Sequence, residues 1–174
     1  MAAILALPAT AQEVPTLGAD SAPPQQVDGP TISTLIRTAL IALDQANQTG
    51  NYTVLRDLGA SAMQASNSAA DLAKLFAGYR ENHLSLAATV LFDPALDKPP
   101  ELGTDGTLHL VGHFPTQPQE VMFDLTFFFE RGLWRIANMQ IGTRAAGAAG
   151  APGAPAGKPS ALSVPLPRVR PAKP

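Results

Sequence analysis

The sequence predicts an α+β fold in which two or three N-terminal helices pack on a mostly antiparallel, four-stranded sheet. Apolar residues recur at helical spacing from Thr31 to Tyr79, and alternation with a period of two begins after Asn82. Arg131-Gly132 then supplies a two-residue turn between the last two strands, as a tight hairpin requires. About 110 residues lie between two ends without apolar periodicity, which is enough for one domain with its own core.

The longest helix is expected directly after Pro30. Gly50 ends its apolar pattern, and Thr31 or Ser33 is available to cap its first amides. The spacing of its apolar residues forms one stripe that faces the core. That stripe consists of Ile32, Leu35, Ile36, Ala39, Leu40 and Leu43.

Two shorter helices are expected next. The segment from Tyr52 to Leu58 predicts a helix that Gly59 weakens, and residues 61–67 predict a loose connection. Ser68 with an acidic residue three positions later resembles a capping box, which opens a third helix with Tyr79 on its buried stripe.

Four strands follow the helices. The first spans residues 84–92, and the second spans residues 107–114 after a loop rich in proline and glycine. The last two span residues 121–130 and 134–141, with Phe123 and Phe127 on the core-facing side of the third strand.

The hairpin turn predicts which residues pair across the last two strands. If Glu130 lies opposite Leu133, the core side starts as an aromatic cluster near the turn and ends with two amides. Either these amides form the floor of a ligand pocket, or they lie where the sheet leaves the core and meet solvent or backbone. The expected core-side pairs are Phe129 with Trp134, Phe127 with Ile136, Leu125 with Asn138, and Phe123 with Gln140.

The opposite face of the same hairpin is expected to be half apolar, around Thr126, Phe128, Ala137 and Met139. A solvated sheet face normally alternates to clearly polar residues. This face is therefore expected to be covered, either by a second copy in a homodimer or by the tail of the chain itself.

Two histidines share this outer face. His109 and His113 lie four residues apart on the second strand, beside Asp124 and Thr126 of the next strand. They are separated by about 13 Å along the strand, which is too far for them alone to chelate one metal. No metal site or cofactor is predicted.

Charge and cysteine content exclude several functions. The formal net charge is -2, but residues 142–174 contain five basic residues and no acid, so the rest of the chain carries -7. An acidic globular part disfavours nucleic-acid binding. The absence of cysteine excludes disulfides, thiol catalysis and thiolate metal ligands.

The composition divides the chain into four parts. Residues 1–11 resemble the end of a signal peptide, with Ala9-Thr10-Ala11 as cleavage site and a truncated apolar run. Residues 12–30 predict a disordered linker, residues 31–142 the folded domain, and residues 143–174 a disordered basic tail rich in Ala, Pro and Gly. A periplasmic or secreted location follows, with a cytoplasmic one as the alternative, and no segment is apolar enough to be transmembrane.

The order of elements resembles the nuclear transport factor two-like superfamily, which includes ketosteroid isomerase and SnoaL-like proteins. The resemblance is carried by the helices at residues 31–47 and 68–79 and by the run Phe127 to Ile136, which contains Glu-x-Gly-x-Trp-Arg-Ile. It implies a curved, cone-shaped sheet whose interior is an active site, a binding pocket or plain core. The isomerase branch places an acidic base in the pocket, whereas the predicted inward positions of the last three strands hold neither acid nor histidine.

Two functions from different classes follow. The first is an exported, non-catalytic module that self-associates through the outer sheet face or binds a small apolar ligand in the cone. The alternative is an isomerase- or cyclase-type enzyme in which Tyr79 and the two amides orient a substrate; Tyr79 otherwise reaches backbone as a core tyrosine. No catalytic residue is assigned, and the candidate ligand-binding residues are Tyr79, Phe123, Phe127, Trp134, Asn138 and Gln140.

Overall fold

The computed structural model describes Pro24 and residues 26–147. Helices come first along the chain and pack against a mostly antiparallel, five-stranded sheet, which confirms the predicted α+β fold. Regular structure runs from Gly29 to Ala145, close to the predicted domain of residues 31–142. The predicted signal remnant, most of the linker and all but the first five residues of the tail lie outside the described residues.

Helix α1 (Gly29–Thr49) is the longest helix of the described part, as expected. Its N-cap is Asp28, whose carboxylate accepts from the Thr31 amide at 2.7 Å, so the predicted cap at Thr31 or Ser33 is wrong. Gly50 ends the helix in the left-handed region at φ 72°, where glycine adopts the conformation without strain. No helix among the described residues has the length and hydrophobicity needed to span a membrane.

Four short helices follow: α2 (Thr53–Asp57), α3 (Ser61–Ser66), α4 (Ala69–Leu75) and α5 (Ala77–Glu81). The capping box of Ser68 and Asp71 is present and opens α4, as predicted. The loose connection predicted at residues 61–67 is wrong, because α3 occupies it. The Arg56 guanidinium holds this segment by donating to the carbonyls of Gln64 and Asn67.

The first predicted strand, residues 84–92, is also wrong. This segment contains a 3-10 helix, Ala87–Leu91. Two polar side chains of α1 hold it against the helix. Asp44 accepts from the Leu86 amide at 2.8 Å, and the Arg37 guanidinium donates to the carbonyl of Val90 at 3.0 Å. These tertiary hydrogen bonds replace the ladder that a strand would need.

The sheet contains β1 (Ala95–Leu96), β2 (Glu101–Leu102), β3 (Thr107–Phe114), β4 (Gln119–Glu130) and β5 (Leu133–Ala145). Both β1 and β2 pair with β3, followed by β4 and β5 in antiparallel order. The predicted hairpin turn is confirmed. Arg131 and Gly132 have φ values of 51° and 78°, the two positive angles of a hairpin turn that matches strand twist.

A β-bulge in β5 changes the predicted register. Phe127 lies opposite Ile136 as predicted, but Thr126 lies opposite Asn138, which leaves Ala137 as an extra residue. Because side chains alternate with a period of two, one added residue moves everything after it to the other face. The predicted pairs of Leu125 with Asn138 and Phe123 with Gln140 are therefore wrong.

The core lies between the inner face of the sheet and the helices. In β3 and β4 the residues that alternate toward this side are buried, and they form one cluster with the buried stripe of α1. Its largest fully buried side chains are Tyr52, Phe114, Phe127, Ile36, Leu40, Leu43, Leu55, Leu72, Leu86, Leu108, Leu110 and Leu125.

Candidate functional site

The inner side of the sheet, where the sequence predicts a ligand chamber, is filled by side chains. Phe123 and Phe127 are each 2% exposed, and Phe76, between α4 and α5, belongs to the same buried cluster. The Phe123 ring packs against Phe114 with centroids 5.7 Å apart. These aromatic residues therefore form close-packed core and offer no free surface to a ligand in this conformation.

The hydroxyl of Tyr79 contacts backbone. It donates to the carbonyl oxygen of Ile141 at 2.5 Å and so joins α5 to β5. Partial burial of the ring raises the pKa of the Tyr79 hydroxyl, because desolvation disfavours the phenolate. This geometry matches the structural interpretation of Tyr79, in which its hydroxyl satisfies a strand carbonyl.

Asn138 and Gln140 lie on the outer face of the sheet, not on the core side as the sequence analysis placed them. After the bulge Asn138 is opposite Thr126, and Gln140 is opposite Asp124. The core positions are taken instead by Met139 and Ile141, which are 8% and 6% exposed. The bulge thus buries two apolar side chains in place of two amides, which would need hydrogen-bond partners in the core.

The structure consequently does not bring the six candidate ligand residues together. Phe123 and Phe127 are core, Tyr79 contacts the edge of β5, and the two amides point away from the core. The polar groups on which the enzyme hypothesis depends share no chamber in this arrangement.

Of the six residues, Trp134 lines an open cleft. This open cleft of about 430 Å³ lies between the β4–β5 turn and the chain that precedes α1. Its apolar wall is formed by Trp134 and Phe129, whose rings meet edge to face with centroids 5.1 Å apart. Asp28 and Thr31 line the opposite side, and both take part in the N-terminal cap of α1.

A second open cleft of about 560 Å³ lies among α2, α3 and α4. Its only basic residue is Arg56, whose guanidinium already donates to the carbonyls of Gln64 and Asn67 and lies 3.4 Å from Asp57. The donors of Arg56 are thus committed to the local fold, and the carboxylate of Asp71, which also lines this cleft, caps α4 with Ser68.

The outer face carries two histidine–carboxylate pairs. His109 has Nε2 2.8 Å from Asp124 Oδ1, and its Nδ1 is 3.5 Å from a carboxylate oxygen of Glu101. His113 Nδ1 is 2.8 Å from Asp97 Oδ1. The prediction that both histidines share the outer face with Asp124 is confirmed. In residues 26–147, a histidine is the only basic partner within ion-pair distance of these three carboxylates.

Asp97 and Glu101 were not singled out by the sequence analysis. Asp97 directly follows β1 and Glu101 begins β2, and both strands are only two residues long. Such short segments between prolines give no periodic signal, so a loop is what the sequence predicts there. The described residues contain no group of three His, Cys, Asp or Glu placed to hold a metal ion.

Apolar side chains on the outer face are partly exposed and interspersed with polar ones, since Asp124 and Thr126 lie between Met122 and Phe128 on β4. Val111 of β3 and Met122 and Phe128 of β4 all project to this side with part of their surface accessible. Beside them, Oδ1 of Asn138 is shielded from solvent and has no hydrogen-bond donor among the described residues. A shielded acceptor without a donor costs free energy, so this oxygen marks a place where a donor from elsewhere would be stabilising.

At the far end of the same face, Glu120 pairs with Arg144 across β4 and β5. The Nε of Arg144 lies 2.9 Å from the Glu120 carboxylate, and Nη2 contacts the same oxygen. The hydrogen bonds and charge of Arg144 lower the pKa of Glu120 from its ordinary value of 4.5. Arg144 is thus already neutralised, and Arg135, also on this face, donates one guanidinium hydrogen to the Asp57 carbonyl at 3.2 Å.

No protein-family model matches the chain, and neither a curated protein nor a solved structure matches it significantly. The resemblance to the nuclear transport factor two-like superfamily therefore stays a prediction from the sequence. Functional inference has to come from the residues of the chain itself.

Proposed function

We propose that this chain is a non-catalytic module of an exported protein that self-associates through the outer face of its sheet. The observation that carries the proposal is the half-apolar composition of that face, on which Val111, Met122 and Phe128 stay partly exposed among polar and charged side chains. Interfaces between protein molecules that also exist apart mix apolar and polar surface in this way. The filled inner side supports the same proposal, since the described side chains leave no open chamber there.

The charges on the outer face suit a contact between two identical copies. Glu101 lies at the β2–β3 edge of this face, whereas Arg135 lies on β5 at the opposite edge. A two-fold axis that runs along the strands between β3 and β4 would set Glu101 of one copy against Arg135 of the other. Opposite charges placed in this way favour one orientation of the dimer.

Sedimentation velocity over a wide concentration range tests the proposal. We expect the full chain to dimerise reversibly, and Phe128→Asp to weaken the dimer at least about tenfold, because it replaces an apolar contact with a charge. Arg135→Glu and Glu101→Arg should each weaken dimerisation, and the double variant should recover part of it because the charge pair is restored in reverse.

The matched control for Glu101→Arg is Glu81→Arg, which makes the same change of charge at an exposed position of α5. It should leave dimerisation unchanged. A full chain that stays monomeric at every concentration, with a circular dichroism spectrum of a folded protein, would contradict the proposal.

Export is the second part of the proposal, and it rests on the Ala9-Thr10-Ala11 pattern. Protein purified from the envelope of its own host should begin at Gln12, and intact mass spectrometry reads this directly. A chain recovered from the cytoplasm with residues 1–11 still attached would oppose it.

A second candidate function, binding of a small apolar molecule, is favoured by the cleft beside Trp134. The volume of this cleft lies within the usual range of ligand pockets, and an aromatic pair forms one wall. Trp134 is the single tryptophan of the chain, so its fluorescence reports on this cleft alone. Saturable quenching by anilinonaphthalene sulfonate, lost in Phe129→Ser, would support binding; linear quenching would dismiss it.

A further inference from the structure

We infer that the basic tail, residues 148–174, lies across the outer face of its own sheet with its arginines beside Glu101 and Asp124. The inference rests on the proposed function in one respect, since the tail and a second copy would share one surface. Four features of the molecule lead to it: the place where the described chain ends, the charge of the two parts, the reach of the intervening residues, and the apolar residues on both sides.

The described chain ends on the outer face. Arg144 points to that face and pairs there with Glu120. Two residues after β5 the chain turns at Gly147, which has φ 83°. The turn is held by the Ala146 amide, which donates to the Pro118 carbonyl at 3.2 Å. The Gly147 amide also helps to lower the pKa of Glu120, so the described chain ends near the outer-face side chain of Glu120.

The two parts have opposite charge. Residues 26–147 contain eight Lys and Arg against twelve Asp and Glu, a net -4, whereas residues 148–174 contain four basic residues and no acid. On the outer face, Asp97, Glu101 and Asp124 have only histidine partners among the described residues. Arginine would give these carboxylates a permanent cationic partner and bidentate hydrogen bonds.

The reach of the chain fits the distance to these carboxylates. Asp124 is five residues along β4 from Gln119, which pairs with Ala145, so it lies about 16 Å from the turn at a rise of roughly 3.3 Å per residue. Residues 148–157 contain only Ala, Gly and Pro. The ten residues before Lys158 span about 17 Å on average, and the twenty residues before Arg168 span about 25 Å. The effective concentration of a tethered group at its binding site is highest when the average length of the linker equals the distance that it has to span.

The sequence of the tail after residue 157 suits a face that mixes apolar and acidic side chains. Leu166 and Val169 stand beside Arg168 and Arg170, between prolines that favour an extended backbone. Extended segments of this kind dock on surfaces that carry aromatic side chains. Met122 and Phe128 supply apolar surface next to the acidic side chains.

The tail then competes with a second copy of the chain. In the proposed dimer Arg135 of the second copy faces the acidic side of the sheet, and here the arginines of the tail take its place. The tail thereby limits self-association without being needed for the fold. Removing its charges should strengthen the dimer by about three- to tenfold, since an intramolecular competitor is lost.

Carbodiimide cross-linking of the full chain, followed by mass spectrometry, tests where the tail lies. This reagent joins lysine amines directly to carboxylates in contact with them. We expect Lys158 and Lys173 to couple to Asp97, Glu101 or Asp124 at least five times as often as to Glu81, an exposed carboxylate on α5. The triple variant Arg168→Ser, Arg170→Ser and Lys173→Ser should lose the remaining coupling of Lys158.

Cross-links spread evenly over exposed carboxylates would overturn the inference. So would cross-links that join different copies in a mixture of ¹⁴N and ¹⁵N chains, because they would place the tail on another molecule. Glu101→Gln compared with Glu81→Gln is the matched pair of variants, and only the former should reduce coupling to the outer face.

The failure of this inference and that of the proposed function give different results. If no variant dimerises while cross-links still map to the outer face, the proposed function is wrong and the tail assignment stands. If dimerisation depends on Phe128 and Arg135 but is the same in the triple tail variant, and cross-links are scattered, the tail assignment falls and the proposed function stands.

Discussion

The two faces of the sheet are built from neighbouring residues of the same strands, yet they differ in what covers them. On the inner face Leu108, Leu110 and Leu125 are fully buried under the helices. On the outer face Val111 and Phe128 keep part of their surface exposed, next to histidines paired with carboxylates. The inner face therefore provides stability, whereas the outer face keeps apolar side chains accessible among the described residues.

The difference also separates the two classes of function. A chamber for catalysis would need space on the inner side, where the described side chains are closely packed. An interface needs accessible apolar side chains, which the outer face has in Val111, Met122 and Phe128. Variants that change one face and spare the other test this division.

The largest effect is expected from two adjacent phenylalanines of β4. Phe127 is in the core and Phe128 is on the outer face. Phe127→Ala should lower the free energy of unfolding by about 3–5 kcal/mol, because it leaves a cavity. Phe128→Ala should cost about 1 kcal/mol or less at concentrations where the chain is monomeric. Urea denaturation measures both, and equal losses would contradict the division.

The second prediction tests the position of the bulge in β5. Met139→Ala should destabilise the fold by about 2–4 kcal/mol, since Met139 packs in the core after the bulge. Gln140→Ala should change stability by no more than about 0.5 kcal/mol. The register predicted from the hairpin turn alone would give the reverse order, so thermal or urea unfolding of this pair decides between the two registers.

The third prediction concerns the hydrogen bond from Tyr79 to β5. Tyr79→Phe should cost about 1 kcal/mol at neutral pH, the usual net value of one hydrogen bond. Because burial raises the pKa of Tyr79, the unfolded chain ionises first, and stability should fall as pH rises above about 10. Unfolding curves at several alkaline pH values should show a smaller decline in Tyr79→Phe. An identical decline would mean that the hydroxyl is free.

The smallest effect is expected at the pair of Glu120 and Arg144. Since Arg144 lowers the pKa of Glu120, this pair stabilises the fold above the ordinary value of 4.5, and the contribution is lost as pH falls through the lowered pKa. Glu120→Gln should lack that acid-dependent part of the stability. Thermal melting points of the unaltered chain and of Glu120→Gln, measured between neutral and acid pH, test this expectation. If the two melting points fall in parallel with pH, the protonation of Glu120 is not linked to stability.

Local sequence patterns were enough to predict much of the fold. The capping box at Ser68, the end of α1 at Gly50 and the extent of β3 were predicted because each depends on residues close together in the chain. The position of the two histidines on the outer face followed from alternation in one strand.

The candidate site was predicted less well, because its geometry depends on distant residues. The register of β5 after Ala137 decides on which face Asn138 and Gln140 lie, and the hairpin turn does not fix a register beyond a bulge. The carboxylates of Asp97 and Glu101 reach the histidines only because two very short strands pair with β3.

The sequence by itself thus determined the fold class, the hairpin turn, the alternation of β3 and β4, and the separation of an acidic domain from a basic tail. Only the tertiary structure decided that residues 84–92 are held to α1 by Arg37 and Asp44, and that the inner side of the sheet is filled. Only it placed the bulge that turns the two amides outward. Local propensities act over a few residues, whereas the cost of burying an unpartnered amide depends on the whole core and selects the register.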